Sequence, residues 1–307
     1  SPADTTLVEE ILHNSVTKVA PVMAHYTTDN GGWYEGPSYW GYATEYNCRM
    51  MAALESALGS DFGLSATRGL SLTGYYPLYM VGPTKLSFNF ADAGIGSLFG
   101  SQLFWLARRF NIPGYAWFQR ANGLNEVLNL FWYDARGNGP VVDGLPLDNW
   151  FRGATGVTNF DTQDVVMLRS RWQDSRATFV AAKAGEVGAT HGNLDAGTFV
   201  LDANGQRWAM DPGSDDYALP GYFSEPQRWT YYRMRAEGQN TLVINPGAGA
   251  DQVLRAKPSV VLFATEPNTE RGATVMDLTS AYAGATQVQR GIALFNRRRH
   301  VLIQDEI

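Results

Sequence analysis

The chain has one cysteine, four histidines and no apolar run long enough to span a bilayer. A single Cys48 excludes an internal disulfide framework and a CxxC-type zinc site. Set in Tyr46-Asn-Cys-Arg-Met-Met, it reads as a buried helix residue rather than a nucleophile. Without a long apolar run no membrane insertion is expected, and no signal peptide is recognisable. Positive charge is also scarce: charged residues make up 18% of the chain and the net charge is −6. General nucleic-acid binding is therefore not expected, because a phosphate-binding surface carries a basic excess. An acidic total still leaves room for an anionic substrate held by a local arginine cluster. The first residue is Ser and the last three are Asp305-Glu-Ile on a strand-like run, which reads as a piece of a longer protein. Oligomeric state is not legible.

What is present is ample core, with 45% hydrophobic residues in 307, and many aromatics, including nine Trp and fifteen Tyr. Most should fill cores, although such rings also stack on sugar faces. Thr5–His25 carries Leu7, Ile11, Leu12, Val16, Val19 and Val22 at helical spacing. Thr44–Leu58 repeats the pattern through Tyr46, Met50, Met51, Leu54 and Leu58 and is closed by Gly59. Leu72–Tyr79, Ser97–Phe110 and Ala116–Phe131 read as further helices. From about Ala154 the period changes to short β-branched or aromatic runs. They are Asp164–Trp172, Ala177–Lys183, Gly197–Leu201, Gln206–Met210, Asn240–Ile244, Val260–Ala264, Val275–Leu278, Thr286–Phe295 and His300–Gln304. The spacing predicts an antiparallel sandwich after an all-α part, with a boundary within Phe151–Asn159. The two domains are thus 1–155 and 156–307.

The polar residues concentrate in His191–Asp216. His191, Asn193 and Asp195 alternate as in a strand, which would put them on one face. Asn204-Gly205 signals a hairpin, whose return strand would bring Asp211 back to the Asn193–Asp195 end. Such a corner can bind metal, form an acid/base pair or satisfy itself structurally. Gly192, Gly197 and the polar run after Asp211 favour a functional reading. The block from Asp29 to Tyr42 holds five aromatics, Glu35 and four glycines. It could plug a helical bundle, but reads better as a cleft wall with a tyrosine hydroxyl for proton transfer. Arg228–Asn240 mixes cations and aromatics and suits an anionic sugar, or else forms a solvated loop. His13 and His25 read as surface or packing residues, and His300 as a strand end.

Three of these stretches together resemble the heparinase II/III-like polysaccharide lyases. Asn30-Gly-Gly-Trp-Tyr-Glu35-Gly36-Pro-Ser-Tyr39-Trp-Gly-Tyr42 is similar to that family's DG-x-x-x-EG-x-x-Y-x-x-Y element. His191-Gly-Asn-Leu-Asp195-Ala-Gly197, followed by Asp211-Pro-Gly213, resembles its H-x-H-x-D-x-G strand and D-x-G match. Arg235-Ala-Glu-Gly-Gln239-Asn240 resembles its R-x-x-x-HN turn. The resemblance implies an α/α toroid, incomplete at its N-terminus, followed by an antiparallel β-sandwich. It also implies β-elimination on a uronate-containing polysaccharide such as a glycosaminoglycan or alginate, in a periplasmic or secreted bacterial protein. Carried over, the proton-transfer residues are Tyr39 and His191, with Trp33, Glu35 and Arg235 shaping the cleft and Arg233 a candidate for the substrate carboxylate. Tyr282 and Arg290 fall on late strands and read as structural.

Two departures follow. Zinc-containing members use histidines where this chain has Asn193 and Gln239, which removes the ligands zinc prefers. No zinc cofactor is expected, and Asn193, Asp211 and Gln239 should instead form a polar cluster in which Asp211 accepts from both amides. The family's carboxylate-neutralising residue has no counterpart between Ser1 and Asp29. Two rival functions remain: a glycoside hydrolase using Glu35 with Asp195 or Asp211, and a non-catalytic polysaccharide-binding fragment.

Overall fold

The computed structural model describes residues 2–27, 30–96, 98–123, 125–137, 144–153, 163–266 and 270–307. Most of the expected boundary, residues 154–159, lies outside them. Among the described residues six α-helices come first: α1 (Pro2–Met23), α2 (Pro37–Leu58), α3 (Tyr75–Met80), α4 (Gln102–Phe110), α5 (Pro113–Asn122) and α6 (Asn129–Trp132). Two antiparallel sheets follow, each a meander. The first joins β1 (Asn149–Phe151), β2 (Val165–Arg169), β3 (Phe179–Lys183), β4 (Phe199–Ala203) and β5 (Gln206–Ala209). The second joins β6 (Ser259–Thr265), β7 (Gly272–Asp277), β8 (Gln289–Phe295) and β9 (His300–Glu306).

The first sheet is the middle of three layers. Phe151, Val165, Met167, Phe179, Ala181 and Val200 pack with the helices in one apolar cluster. The alternate residues Val166, Leu168, Val180 and Ala182 pack with Val260, Met276, Ile292 and Leu294 of the second sheet. Buried on both faces, β2 and β3 read as near-continuous apolar runs. The outer sheet keeps one face in water, so β7 and β8 alternate strictly.

α2 begins earlier than its apolar stripe suggested. Pro37 starts it, since a first helical position needs no N–H, and this places Tyr39 in the first turn. Gly36 precedes it at φ +86, and a Cβ there would lie 2.7 Å from the Phe90 carbonyl oxygen. The buried face is Trp40, Thr44, Asn47, Cys48, Met51 and Leu54, whereas the expected stripe members Tyr46 and Leu58 are exposed. Gly59 ends the helix in the left-handed region, its N–H bonded to the Glu55 carbonyl at 3.0 Å. The long helix expected over Ala116–Phe131 is two, α5 closing at Gly123 before α6.

Two strand expectations fail. Residues Asn240–Ile244 form no strand, because Asn240 bridges the first sheet with its side chain, giving its amide to the Phe199 and Met210 carbonyls, each at 2.9 Å. The His191–Asp195 segment is a loop, not a strand: His191 sits at φ +58, in a turn closed by Gly192 N–H to Ala189 C=O at 2.6 Å. Its side chains therefore do not share one face. The Asn204-Gly205 hairpin is present, with both residues at positive φ as a type I′ turn requires.

Loop 82–96, between α3 and α4, is tied to the β4–β5 hairpin. Asp202 pairs with Arg207 and accepts from Thr84 Oγ1 at 2.6 Å, and Arg207 reaches the Ser87 and Leu86 carbonyls at 3.0 and 2.9 Å. This crosslink carries Asp92 from the helical part to the polar loops of the sheets. Elsewhere, Asp148 holds Arg298 at 2.6 and 2.8 Å, a buried pair next to the second sheet. No helix among the described residues is long and apolar enough to cross a membrane.

Candidate active site

Tyr39 and His191, 152 positions apart, stack face to face with ring centroids 3.8 Å apart and planes inclined by 23°. The Tyr39 hydroxyl is 3.0 Å from that of Tyr217, whose own proton is held firmly, its pKa raised by burial and by the Tyr39 and Asp92 neighbours. Phe223, 61% exposed, stands edge-on to His191 at 6.3 Å and to Tyr217 at 5.0 Å. Four rings from three segments thus form a ledge, exposed at Tyr217 and Phe223 and half-buried at Tyr39 and His191, with two hydroxyls and an imidazole.

Beneath the ledge lies a buried ionic net. His191 Nδ1 is 3.1 Å from Asp92 Oδ2, and the Asp92 side chain has no exposed surface. Asp92 Oδ1 accepts from the Tyr222 hydroxyl at 2.5 Å and from Arg228 at 2.9 Å. Burial alone would raise the Asp92 pKa, but the bonds from His191, Arg228 and Tyr222 outweigh it and hold the carboxyl below its usual range. Asp92, Tyr217, Tyr222, Phe223 and Arg228 were not singled out individually in the sequence. The one available signal was the position of Arg228 in the cation-aromatic stretch.

Other expected site residues sit elsewhere. Trp33 is 4% exposed and packs against Tyr26 and His25, so it has no free face for a sugar. Glu35 accepts from Trp33 Nε1 at 3.3 Å and from the Tyr34 hydroxyl at 3.0 Å. Trp40 is also fully buried, so the two tryptophans of the block plug the helical core rather than lining a cleft, whereas Tyr42 is exposed. Arg235 spends its guanidinium on Asp251, at 2.6 and 3.0 Å, and on the Gly247 carbonyl at 2.6 Å. Arg233 remains half exposed while donating to the Pro212 and Ser214 carbonyls. Tyr282 donates to the Leu242 carbonyl at 2.8 Å, and Arg290 is bidentate to Asp305.

Residues 157–307 match the family model for the heparinase II/III-like C-terminal domain. This half of the chain is a heparinase II/III-like C-terminal domain. Among solved structures, a mutant of the heparan sulfate lyase HepC from Pedobacter heparinus superposes with a TM-score of 0.68 at 17% identity. The alignment covers 94% of this chain and 40% of that one. A structure of the heparan sulfate lyase HepC itself gives 0.64 at 18% identity, with 96% and 40% covered. A heparinase III structure gives 0.66 at 15% identity, with 97% and 43% covered. The likeness shows a common fold, and the chain spans about two fifths of the length of these structures. No curated protein matches the chain in sequence.

The second polar corner of the heparinase II/III-like domain is fully buried. Lys183 pairs with Asp195, and neither side chain has exposed surface. Asp211 lies close to both; burial first, and then the Asp195 charge, raise its pKa to about 7. Asn193 does not donate to Asp211 as expected: its Nδ2 has no partner, nor do Asp195 Oδ2 and Asp211 Oδ2. The reason is that Arg228 draws Asn193 Oδ1 at 3.4 Å and Gln239 gives its amide to the Arg233 carbonyl at 2.9 Å. Gln239 keeps a weaker contact with Asp211. Two carboxylates, two carboxamides and a lysine do not fit zinc, and no group of three or more His, Cys, Asp or Glu among the described residues could hold a metal. The ammonium of Lys183 supplies the cation that Asp195 needs.

Proposed function

We propose that this chain forms part of a polysaccharide lyase that cleaves an acidic, uronate-containing polysaccharide by β-elimination, with proton transfer by Tyr39 and His191. The observation that carries the reading is the stacked, half-buried Tyr39–His191 pair beside the exposed rings of Tyr217 and Phe223. Elimination removes the proton at C5 of the uronate, expels the O4 oxygen and leaves a double bond, so it needs a proton acceptor and a donor close together. The stacked pair presents a phenol and an imidazole side by side. Asp92 backs the imidazole, and Tyr217, whose proton is held firmly, gives the Tyr39 hydroxyl a fixed hydrogen-bond partner. Arg233, half exposed and 3.8 Å from Asp215, is the cation we assign to meet the substrate carboxylate, which it would do by giving up that loose pair. In this reading 1–155 is a portion of an α/α toroid and 156–307 a β-sandwich. A periplasmic or secreted location goes with a polymer substrate.

The rival hydrolase is disfavoured by burial. Asp195 and Asp211 have no exposed surface and Asp195 is tied to Lys183, so neither can flank a glycosidic bond with Glu35. The test is absorbance near about 235 nm, where an unsaturated uronate absorbs, on heparan, other glycosaminoglycan and alginate substrates. Tyr39→Phe keeps the stack and removes the hydroxyl, so turnover should fall about 10²–10⁴-fold with the fold intact. Hydrolysis without new absorbance, or wild-type binding with no turnover for Tyr39→Phe to abolish, would replace the lyase reading.

A further inference from the structure

We infer that Asp92 is a positioning residue that fixes His191 as the Nδ1–H tautomer and so reserves Nε2 for the substrate proton. The inference rests on the lyase reading for its functional consequence, and on geometry alone for the tautomer. An ionised carboxylate can only accept, so the 3.1 Å contact between Asp92 Oδ2 and His191 Nδ1 requires the proton on Nδ1. Asp92 is held in the ionised form by two donors on its other oxygen, Tyr222 and Arg228. Its pairing with His191 is further fixed through the backbone. Asp92 N–H donates to the His191 carbonyl at 3.0 Å, and Arg228 reaches the same carbonyl at 3.3 Å and that of Gly192 at 2.9 Å.

The clamp also explains why His191 occupies the left-handed region at φ +58, which a histidine adopts at a cost. That conformation turns its carbonyl toward Asp92 and Arg228 while the ring lies on Tyr39. Among the described residues no protein group is hydrogen-bonded to Nε2. This nitrogen can take a proton from the substrate and return it without any change at Nδ1. The arrangement has the logic of a carboxylate-oriented imidazole base, in which the carboxylate never meets the substrate.

The experiment is ¹⁵N NMR of histidine-labelled protein, with the His191 signals assigned from His191→Gln. The wild-type protein at a pH where the ring is neutral should show Nδ1 protonated and Nε2 bare. In Asp92→Asn an amide can turn its NH₂ toward Nδ1, so the proton should move to Nε2 and kcat should drop about 10²–10⁴-fold with KM within threefold. Tyr222→Phe, which leaves the carboxylate in place, should keep the wild-type tautomer. A wild-type ring protonated on Nε2 overturns the inference, as does a folded Asp92→Asn whose tautomer and kcat are unchanged. Should Asp92→Asn fail to fold, the wild-type spectrum decides. A wild-type chain with the Nδ1–H tautomer but no turnover on any uronate polymer would remove the lyase reading and leave the positioning intact.

Discussion

Replacing Arg228 by Met should cost about 3–4 kcal/mol of stability at pH 7 and much less at pH 5. The guanidinium is nearly buried and reaches Asp92, the His191 and Gly192 carbonyls, the Tyr222 carbonyl and Asn193 Oδ1. Met preserves the side-chain volume along Tyr222 and Trp229 but leaves the Asp92 charge without its cation. Breaking a buried pair from one side typically costs about 3–5 kcal/mol. The carboxyl has one escape, which is to take up a proton. For an ordinary carboxyl that costs about 4 kcal/mol at pH 7 and about 1.5 kcal/mol at pH 5, and so caps the charge penalty.

The pH dependence follows with a definite sign. In the wild type the Asp92 pKa is lowered by folding, so its contribution is present above the ordinary carboxylate range and is lost as pH falls through the folded value. In Arg228→Met the folded pKa is raised instead, so the variant recovers relative to wild type by about 2–3 kcal/mol between pH 7 and pH 5. Urea unfolding followed by tryptophan fluorescence at both pH values measures this. Arg228→Met combined with Asp92→Asn should be more stable at pH 7 than the sum of the single losses, by more than about 1 kcal/mol. A loss below about 1 kcal/mol at pH 7, or an equal loss at pH 5, would refute the description of Asp92 as a buried anion held by Arg228.

Three further outcomes are expected. Asp211, raised to about 7 mainly by burial, keeps its proton in the folded state where the unfolded chain has already lost it, so stability should decline as pH rises from about 4 to about 7; Asp211→Asn should flatten that decline, and an unchanged slope in thermal melts would count against it. Phe223→Ala removes an exposed ring worth roughly 1 kcal/mol of stacking contact, so KM should rise about fivefold with kcat nearly constant; a kcat loss without a KM change would take Phe223 off the substrate ledge. Protein purified without chelator should carry far less than one zinc per chain by elemental analysis, and stoichiometric zinc would contradict the donor set around Lys183.

Local pattern was informative where the physics is local. The stop at Gly59, the Asn204-Gly205 hairpin and the change of period after the helices all depend on residues within a turn or a strand of each other. It failed where a partner elsewhere decides. The strand expected over His191–Asp195 yields to a turn because Asp92 and Arg228 hold the His191 carbonyl. Asn240 leaves the ladder because its side chain replaces the backbone bonds a strand would make. Trp33, rich in apolar surface, was drawn into the helical core by Tyr26 and His25 rather than left to a ligand.

By itself the sequence determined that a helical part is followed by short strands and where the tightest turns fall, and it singled out Tyr39 and His191 as candidates for one site. Those properties are written in side-chain period, in backbone preference and in short motifs. Only the tertiary structure decided that the two rings stack and that a carboxylate 99 positions before His191 sets its proton. It also decided that Lys183 fills the corner between Asp195 and Asp211. A buried charge is stable only where its partners converge, and that convergence is fixed by how three layers pack, which no stretch of local pattern contains.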